Sequence, residues 1–434
     1  MRPVPWILRV LMYLFVVATV FDSFTFRFFA GTQNVSKLLG LLLAGLCLVL
    51  YGTRMRFGGR DVWWVVLFLV VTAVEELFRQ GTMGPAMAEF SLRAYLSYVQ
   101  VLILYFIVRA LSLDPRVYRG ILFTYFGTFT TAAVLMFFGV MTTTMGSEER
   151  ESLAGVNANL LSFLLSVIVV CIAVLLLDSW RGRTSRNLML AGAGMVLVVS
   201  AAATGSRGGA LALMVGLTVA AVSSFRAGRV SRYILLIPLI IGGATYTLAT
   251  SPVLRSRFEA TVTERDTGGR DELFEWGART VQERPLIGVG PGYVVPLGAL
   301  MGKAKFAVHN TYLQLLVSFG LLGTIPLAAA VLAVLRRNWK LRRTVTGSMW
   351  FSVLVMILAF GVVAHLGYVK HLWIVLALAA NPTRMIWERA ASRAAHRGCA
   401  SFTVARVPVP RAVLAKSRLL MSDGSGSGRR SGGA

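Results

Sequence analysis

The sequence predicts an all-α membrane protein, a polytopic bundle of about twelve transmembrane helices with one long extracytoplasmic loop that carries short helices. Three observations lead there. Charged residues make up 15% of the 434-residue chain and apolar ones 56%, whereas a soluble domain carries about 25% charged residues. Apolar runs near the length of a bilayer crossing recur throughout, and mean hydropathy is +0.69. Basic residues collect in alternate connections between those runs, the pattern that fixes orientation in a membrane.

The apolar runs fall at roughly 4–21, 36–52, 61–78, 92–112, 118–140, 157–178, 188–204, 208–225, 231–250, 309–335, 347–365 and 368–381. The first follows a basic residue, but no small-residue cleavage site comes after it, so it reads as a retained span and not a signal peptide. Arg54, Arg56 and Arg60 occupy one connection, and Arg109, Arg116 and Arg119 another. Arg181, Arg183 and Arg186 follow, then Arg226, Arg229 and Arg232, then Arg336, Arg337, Lys340, Arg342 and Arg343. The connections between them are acidic or sparse, with Glu75, Glu76 and Glu89 in one and Glu148, Glu149 and Glu151 in another. Both termini are therefore expected in the cytoplasm and the loop 251–308 outside.

Residues 188–225 as one helix would be about 57 Å long, nearly twice the hydrocarbon thickness. Their middle, Thr204-Gly205-Ser206-Arg207-Gly208-Gly209, has three glycines and an arginine. A hairpin with that stretch at its outer tip avoids an arginine at mid-membrane. The chain divides into a transmembrane domain, 1–381, and a basic cytoplasmic tail, 382–434, partly disordered toward its glycine- and serine-rich end.

The formal net charge of +25 reflects basic loops held against an anionic leaflet, and no nucleic-acid partner is expected. Cys47 and Cys171 lie in apolar runs and Cys399 in the tail, so no disulfide framework or metal cluster follows from them. Asp22 and Asp271 are isolated outward acids, and no metal or cofactor is expected.

Chemistry gathers in the longest polar interval, about Gly269 to Gly323. Between Asp271 and Glu283, apolar Leu273, Phe274, Gly277, Ala278 and Val281 recur at helical spacing and Pro285 follows, as in an interfacial helix with Trp276 at headgroup level. Gly288-Val289-Gly290-Pro291-Gly292 lacks the Lys-Ser/Thr of a phosphate loop and has no preceding strand; a tight turn needing glycine angles fits it better. His309 and Asn310 open the next apolar run at the outer boundary, and a histidine there can be a neutral base. Arg207 and Arg270 can each grip phosphate oxygens with a fork of donors, and two forks suit a diphosphate. His365 and His371, on a second outward turn near Tyr368, are fallback bases.

Arg270 with Trp276, then Glu283-Arg284-Pro285-Leu286-Ile287-Gly288-Val289-Gly290-Pro291-Gly292, then His309-Asn310-Thr311-Tyr312-Leu313-Gln314 and Phe319-Gly320-Leu321-Leu322-Gly323 resemble the O-antigen ligase and polymerase family. The Ser206-Arg207-Gly208 tip is similar to that family's arginine-bearing turn, and Asn157-Ala158-Asn159 to its asparagine-rich helix start. The specific resemblance spans roughly 200–325. It implies a bacterial inner-membrane glycosyltransferase that moves glycan from an undecaprenyl-diphosphate carrier onto an acceptor hydroxyl outside the cytoplasm, without a metal. Carried over, Arg207 and Arg270 hold the donor diphosphate and His309 is the base, supported by Ser206, Gly288, Gly290, Gly292 and Asn310. The acceptor is a glycan or a lipid-linked glycan.

A flippase or permease for a lipid-linked saccharide is the alternative. It calls for ionisable or helix-breaking residues inside several spans, whereas the runs here read as apolar apart from Arg9 and Arg93 near their ends. Arginine far outnumbers lysine, a bias that fits a GC-rich host. In a bacterium without lipopolysaccharide a ligase has no lipid A acceptor, which tips the expectation toward a polymerase.

Overall fold

Every expected apolar run that falls on described residues folds as a helix, and the punctuation between runs sets the bounds. The structure, a computed structural model, describes residues 3–21, 25–28, 31–55, 58–81, 84–140, 142–145, 150–153, 156–179, 184–224, 255, 259, 271–292 and 309–381. The helices are α1 (Trp6–Val20), α2 (Val35–Tyr51), α3 (Arg60–Gln80), α4 (Pro85–Leu111), α5 (Pro115–Phe137), α6 (Ala158–Ser179), α7 (Thr184–Ala203) and α8 (Arg207–Ser224), then α9 (Asp271–Glu283), α10 (Thr311–Lys340), α11 (Val345–Gly361) and α12 (Lys370–Ala379). Proline opens α4 and α5, where its missing N–H costs nothing. Side-chain caps start α5, α10 and α11: Asp114, Asn310 and Thr344 each accept from backbone N–H groups of the first turn. The expected span at 231–250 and the tail lie outside the described residues.

Five of these helices, α4, α5, α6, α7 and α10, are long and apolar enough to cross a membrane. The apolar helices α1, α2, α8, α11 and α12 are shorter. Helix α3 has the length, but Asp61, Glu75, Glu76 and Arg79 interrupt its apolar character, and all four are buried. The fold is the expected all-α polytopic bundle, with two additions. Short antiparallel hairpins join α1 to α2 (β1, Thr25–Phe28, with β2, Gly31–Asn34) and α5 to α6 (β3, Thr142–Met145, with β4, Arg150–Leu153). Threonines Thr142, Thr143 and Thr144 suit a strand, but a segment this short has too few residues to show a two-residue period.

Helix α6 is the most enclosed of the five long helices, packed by α7, α8 and α11. Polar side chains join neighbouring helices where water is absent. Ser200 Oγ donates to Ala133 O (2.9 Å), Trp350 Nε1 to Tyr118 Oη (2.6 Å), and Ser223 Oγ pairs with Ser348 Oγ (2.7 Å). Large apolar side chains such as Trp6, Leu41, Trp63, Leu77 and Phe123 are exposed around the outside, as a lipid environment permits.

Polar contacts between helix termini mark two ends of the bundle. At one end Lys370 Nζ reaches Ser36 Oγ (2.6 Å), and α10 starts at the same end. At the other, Arg109 in α4 binds Asp61 at the start of α3 (2.8 Å) and Asn381 beyond α12. Asn338 of α10 donates to Ala379 O there (2.9 Å). Two expectations change. Glu75 and Glu76 sit inside α3 instead of a connecting loop, and Arg109 is a buried member of α4 instead of a loop residue. Hydropathy misplaced them because each is neutralised by a partner distant in sequence or one turn away on the same helix.

Candidate functional site

The polar interval folds around a break in α10. Gly320 has φ 56° and ψ −163°, outside helical geometry, and divides the helix into Thr311–Phe319 and Leu321–Lys340. An α-helix would bond Leu321 N–H to Val317 O and Leu322 N–H to Ser318 O. Instead, Leu321 N–H donates to Pro285 O (2.8 Å) and Leu322 N–H to Leu286 O (3.0 Å). The released acceptors Val317 O and Ser318 O take Val289 N–H (2.8 Å) and Gly290 N–H (3.0 Å). Four bonds to the glycine-proline turn thus replace two helical ones, which is how irregular backbone becomes tolerable away from water. The stretches 283–292 and 319–323, each singled out in the sequence, are the two halves of this one joint.

The glycines of the turn are explained by contact. Gly288 and Gly290 have φ of +61° and +97°. A Cβ on Gly288 would stand 2.5 Å from Val317 O, one on Gly290 2.9 Å from Ser91 Oγ, and one on Gly292 would overlap the Phe90 backbone. The turn is filled by protein, and the structure brings these glycines against α3, α4 and the broken helix. Arg79 closes it from α3: Nη2 donates to Ile287 O (2.8 Å) while Nη1 and Nη2 meet Glu76 (3.1 Å) and Glu75 (3.0 Å). Glu76 also accepts from Ser91 Oγ (2.8 Å) and Gln80 Nε2 (2.6 Å). None of this cluster carried a sequence signal beyond charge, which read as a loop. Helix α9 lies on the first half of α10, with Leu273, Val289 and Val317 at the centre of a small core and Trp276, Val281 and Leu313 around it.

Above the joint, three segments meet. The first is the start of α10. His309 holds φ +49°, a left-handed conformation uncommon for a residue with a side chain, and Asn310 Oδ1 accepts from Tyr312 N–H (2.9 Å) and Leu313 N–H (3.0 Å). The second is the connection 362–369 between α11 and α12. Thr311 Oγ1 donates to Ala364 O (2.6 Å) and accepts from Leu366 N–H (3.0 Å), so one hydroxyl clasps both neighbours of His365. The third is the bend between α7 and α8, Thr204 to Ser206, where Gly205 takes φ +61°. Ser206 is buried and its hydroxyl accepts from Gly209 N–H (3.1 Å) at the head of α8. Arg207 begins α8, partly buried, and a Cβ on the adjacent Gly208 would stand 2.7 Å from Val363. The connection 362–369 therefore touches the His309 segment on one side and the Arg207 bend on the other.

That connection is sunk into the bundle. Gly367 packs on Tyr98, midway along α4, and Tyr98 stacks obliquely on Tyr368 (4.3 Å) and edge-on to Phe319 (4.9 Å). His365 meets Tyr368 edge-on at 5.0 Å. Both His365 ring nitrogens are buried without a hydrogen-bond partner. Burial, and then the charge of His309 nearby, push its pKa down to about 4, so the ring is neutral near pH 7.

The sequence-expected residues thus sort into groups. The structure brings the segments that carry Ser206 and Arg207, and His309 and Asn310, against one connection through Gly208 and Thr311, and sets Gly288, Gly290 and Gly292 in the joint. Arg270 lies outside the described residues, as do Asp22 and most of the loop 251–308. His371 does not sit on an outward turn: it is buried in the first turn of α12, with Nδ1 to Tyr125 Oη (2.7 Å) and Nε2 to Thr19 O (3.1 Å). A ring held on both nitrogens has no position left for a substrate. Among the described residues no three His, Cys, Asp or Glu side chains gather as a metal site requires.

Residues 192–328 match the family model of the O-antigen ligases. The O-antigen ligase match runs from within α7 into α10, covering less than half of the chain and taking in the bend at Arg207, the joint and His309. It leaves out α3, α4 and the connection bearing His365. No curated protein matches the chain. The apolar helices are those of a membrane protein, and its segment 192–328 is similar to the O-antigen ligases.

Proposed function

We propose that the chain is a glycosyltransferase of the bacterial inner membrane, with its site on the extracytoplasmic side and both termini in the cytoplasm. It moves glycan from an undecaprenyl-diphosphate donor to an acceptor hydroxyl of a second glycan chain, as a polymerase. The observation that carries this reading is that Gly208, next to Arg207, and Thr311, two residues after His309, both pack on the connection 362–369, and that both segments fall within the match to the O-antigen ligases.

In this mechanism Arg207, joined by Arg270, neutralises the donor diphosphate as negative charge grows on it during departure. His309, in its neutral form, removes the acceptor proton while that oxygen attacks the anomeric carbon. The new C–O bond forms as the bond to phosphate breaks, and the diphosphate leaves with the electron pair. The cap at Asn310 and the clasp at Thr311 hold the base in place. No step calls for a metal.

The test is glycan transfer by purified protein with a defined undecaprenyl-diphosphate donor, in EDTA. His309→Ala should lower turnover by roughly 10²–10⁴ while leaving donor affinity intact. Arg207→Lys should lose most activity, because an ammonium cannot reproduce the fork. Normal turnover in His309→Ala, or abolition of wild-type activity by EDTA, rejects the mechanism. Opposite sidedness of cysteine labels at Thr263 and Ser425 tests the topology.

One observation favours a flippase. A broken helix with buried carboxylates beside it, as at Gly320, Glu75 and Glu76, is the architecture of transport sites. Movement of a labelled lipid-linked saccharide across proteoliposomes without glycan transfer would establish that reading instead.

A further inference from the structure

His365 is outside the segment that matches the O-antigen ligases, and its chemistry is unused by the mechanism above. Its environment is nevertheless built. Thr311, two residues after His309, binds the carbonyl before His365 and the N–H after it. Tyr368 lies edge-on to the ring, and Gly367 leaves the space it needs: a Cβ there would stand 3.0 Å from His365 Cε1. A buried polar group without a partner is costly, and folded proteins seldom retain one without a use. His365 retains two such nitrogens. Tethering through Thr311 also makes its position follow that of His309.

We propose that His365 is the positioning residue of His309, its imidazole receiving the hydrogen bond by which His309 is oriented as it becomes protonated. The inference rests on His309 being the base. The balance is simple: the acceptor O–H bond breaks, its proton goes to the unprotonated nitrogen of His309, and the N–H on the other nitrogen of His309 donates to His365. His365 stays neutral throughout, and the proton leaves from His309 after the diphosphate has departed. A general base is commonly oriented by a third group; an uncharged imidazole in that role keeps the pair from holding a proton before substrate arrives.

The experiment uses full-length protein and the donor assay above. His365→Leu should lower kcat by roughly ten- to a hundredfold, the scale of a small misplacement of a catalytic group, with donor KM unchanged. Its thermal midpoint should equal or exceed that of wild type, because an unpartnered polar group has been removed. His365→Gln or His365→Asn, which keep an acceptor, should recover part of the loss. Adding His365→Leu to His309→Ala should cost nothing further, since residues acting as a unit are not additive. Wild-type kcat in His365→Leu overturns the proposal, and so does an equal loss in the presence and absence of His309. If His365→Leu does not fold, wild-type kcat in His365→Phe, which fills the space without an acceptor, overturns it. An inactive His309→Ala beside a fully active His365→Leu rejects the positioning role alone. An active His309→Ala rejects the base and the inference with it.

Discussion

Arg109 and Arg79 are both buried, both bind carboxylates, and yet serve opposite ends of the bundle in different ways. Arg109 meets one carboxylate: Asp61 accepts its Nε (2.8 Å) and the Tyr105 hydroxyl (2.6 Å), and the rest of the guanidinium goes to Gly58 O (2.9 Å) and Asn381. Charge is balanced, and the elements joined are intact helix ends. Arg79 meets two carboxylates and also reaches the carbonyls of Ile287 and Ser318, while Glu75 Oε1 has no partner. Its charge is not balanced, and what it joins is a broken helix to a turn. The first network staples regular structure. The second exists because backbone irregularity at Gly320 leaves carbonyls that need donors where water is scarce.

The largest effect expected from this contrast is in Asp61→Ala. Removing one partner of a buried, balanced pair leaves Arg109 uncompensated and should cost about 3–5 kcal/mol. Thermal unfolding in detergent measures it, and the fraction that remains folded should transfer glycan at the normal rate. Arg79→Met should cost a similar roughly 3 kcal/mol but should also depress turnover, because the half-helix Thr311–Phe319 that His309 precedes is anchored through Ser318. Turnover per folded molecule separates the two sites; if Arg79→Met keeps it at wild-type level, Arg79 is a second staple and the contrast fails.

Gly320→Ala sharpens the same point. Alanine at φ +56° is strained, and its Cβ would overlap the Leu286 carbonyl, so about 1–3 kcal/mol should be lost together with activity. The smallest effect is expected for Glu75→Gln, about 1 kcal/mol or less, since one of two carboxylates facing a single guanidinium is neutralised. A loss as large as that of Asp61→Ala would show that Arg79 needs both charges.

The periodicity of the sequence shows almost all of the helix framework, because a span must be apolar over its whole length and that is a local property. The bend at Thr204–Ser206 is equally legible: a stretch rich in glycine that carries an arginine is costly at mid-membrane, so the chain turns there. Gly320 looked like one residue of a motif, and nothing local marks it as a break, since the helix on each side is apolar and continuous. The hairpins after α1 and α5 are too short for a two-residue period to register. Glu75 and Glu76 appeared as a loop because what makes them tolerable in a helix is tertiary: Ser91 donates to Glu76, and their partner Arg79 is held by a carbonyl more than two hundred residues away.

The candidate site divides along the same line. His309 and Arg207 could be chosen from residue type and from their places at helix boundaries, since chemistry of this kind requires an ionisable group at the edge of the apolar zone. Sequence by itself gave His365 and His371 equal standing. Tertiary structure separated them: His371 is held on both nitrogens by α5 and α1, and His365 is left with none. By itself the sequence determined which segments are apolar enough to cross a membrane and which residues could do chemistry beside them, because hydropathy and side-chain type belong to each residue. Only the tertiary structure decided which polar groups are already satisfied, because a hydrogen bond is a property of two atoms brought together from distant parts of the chain.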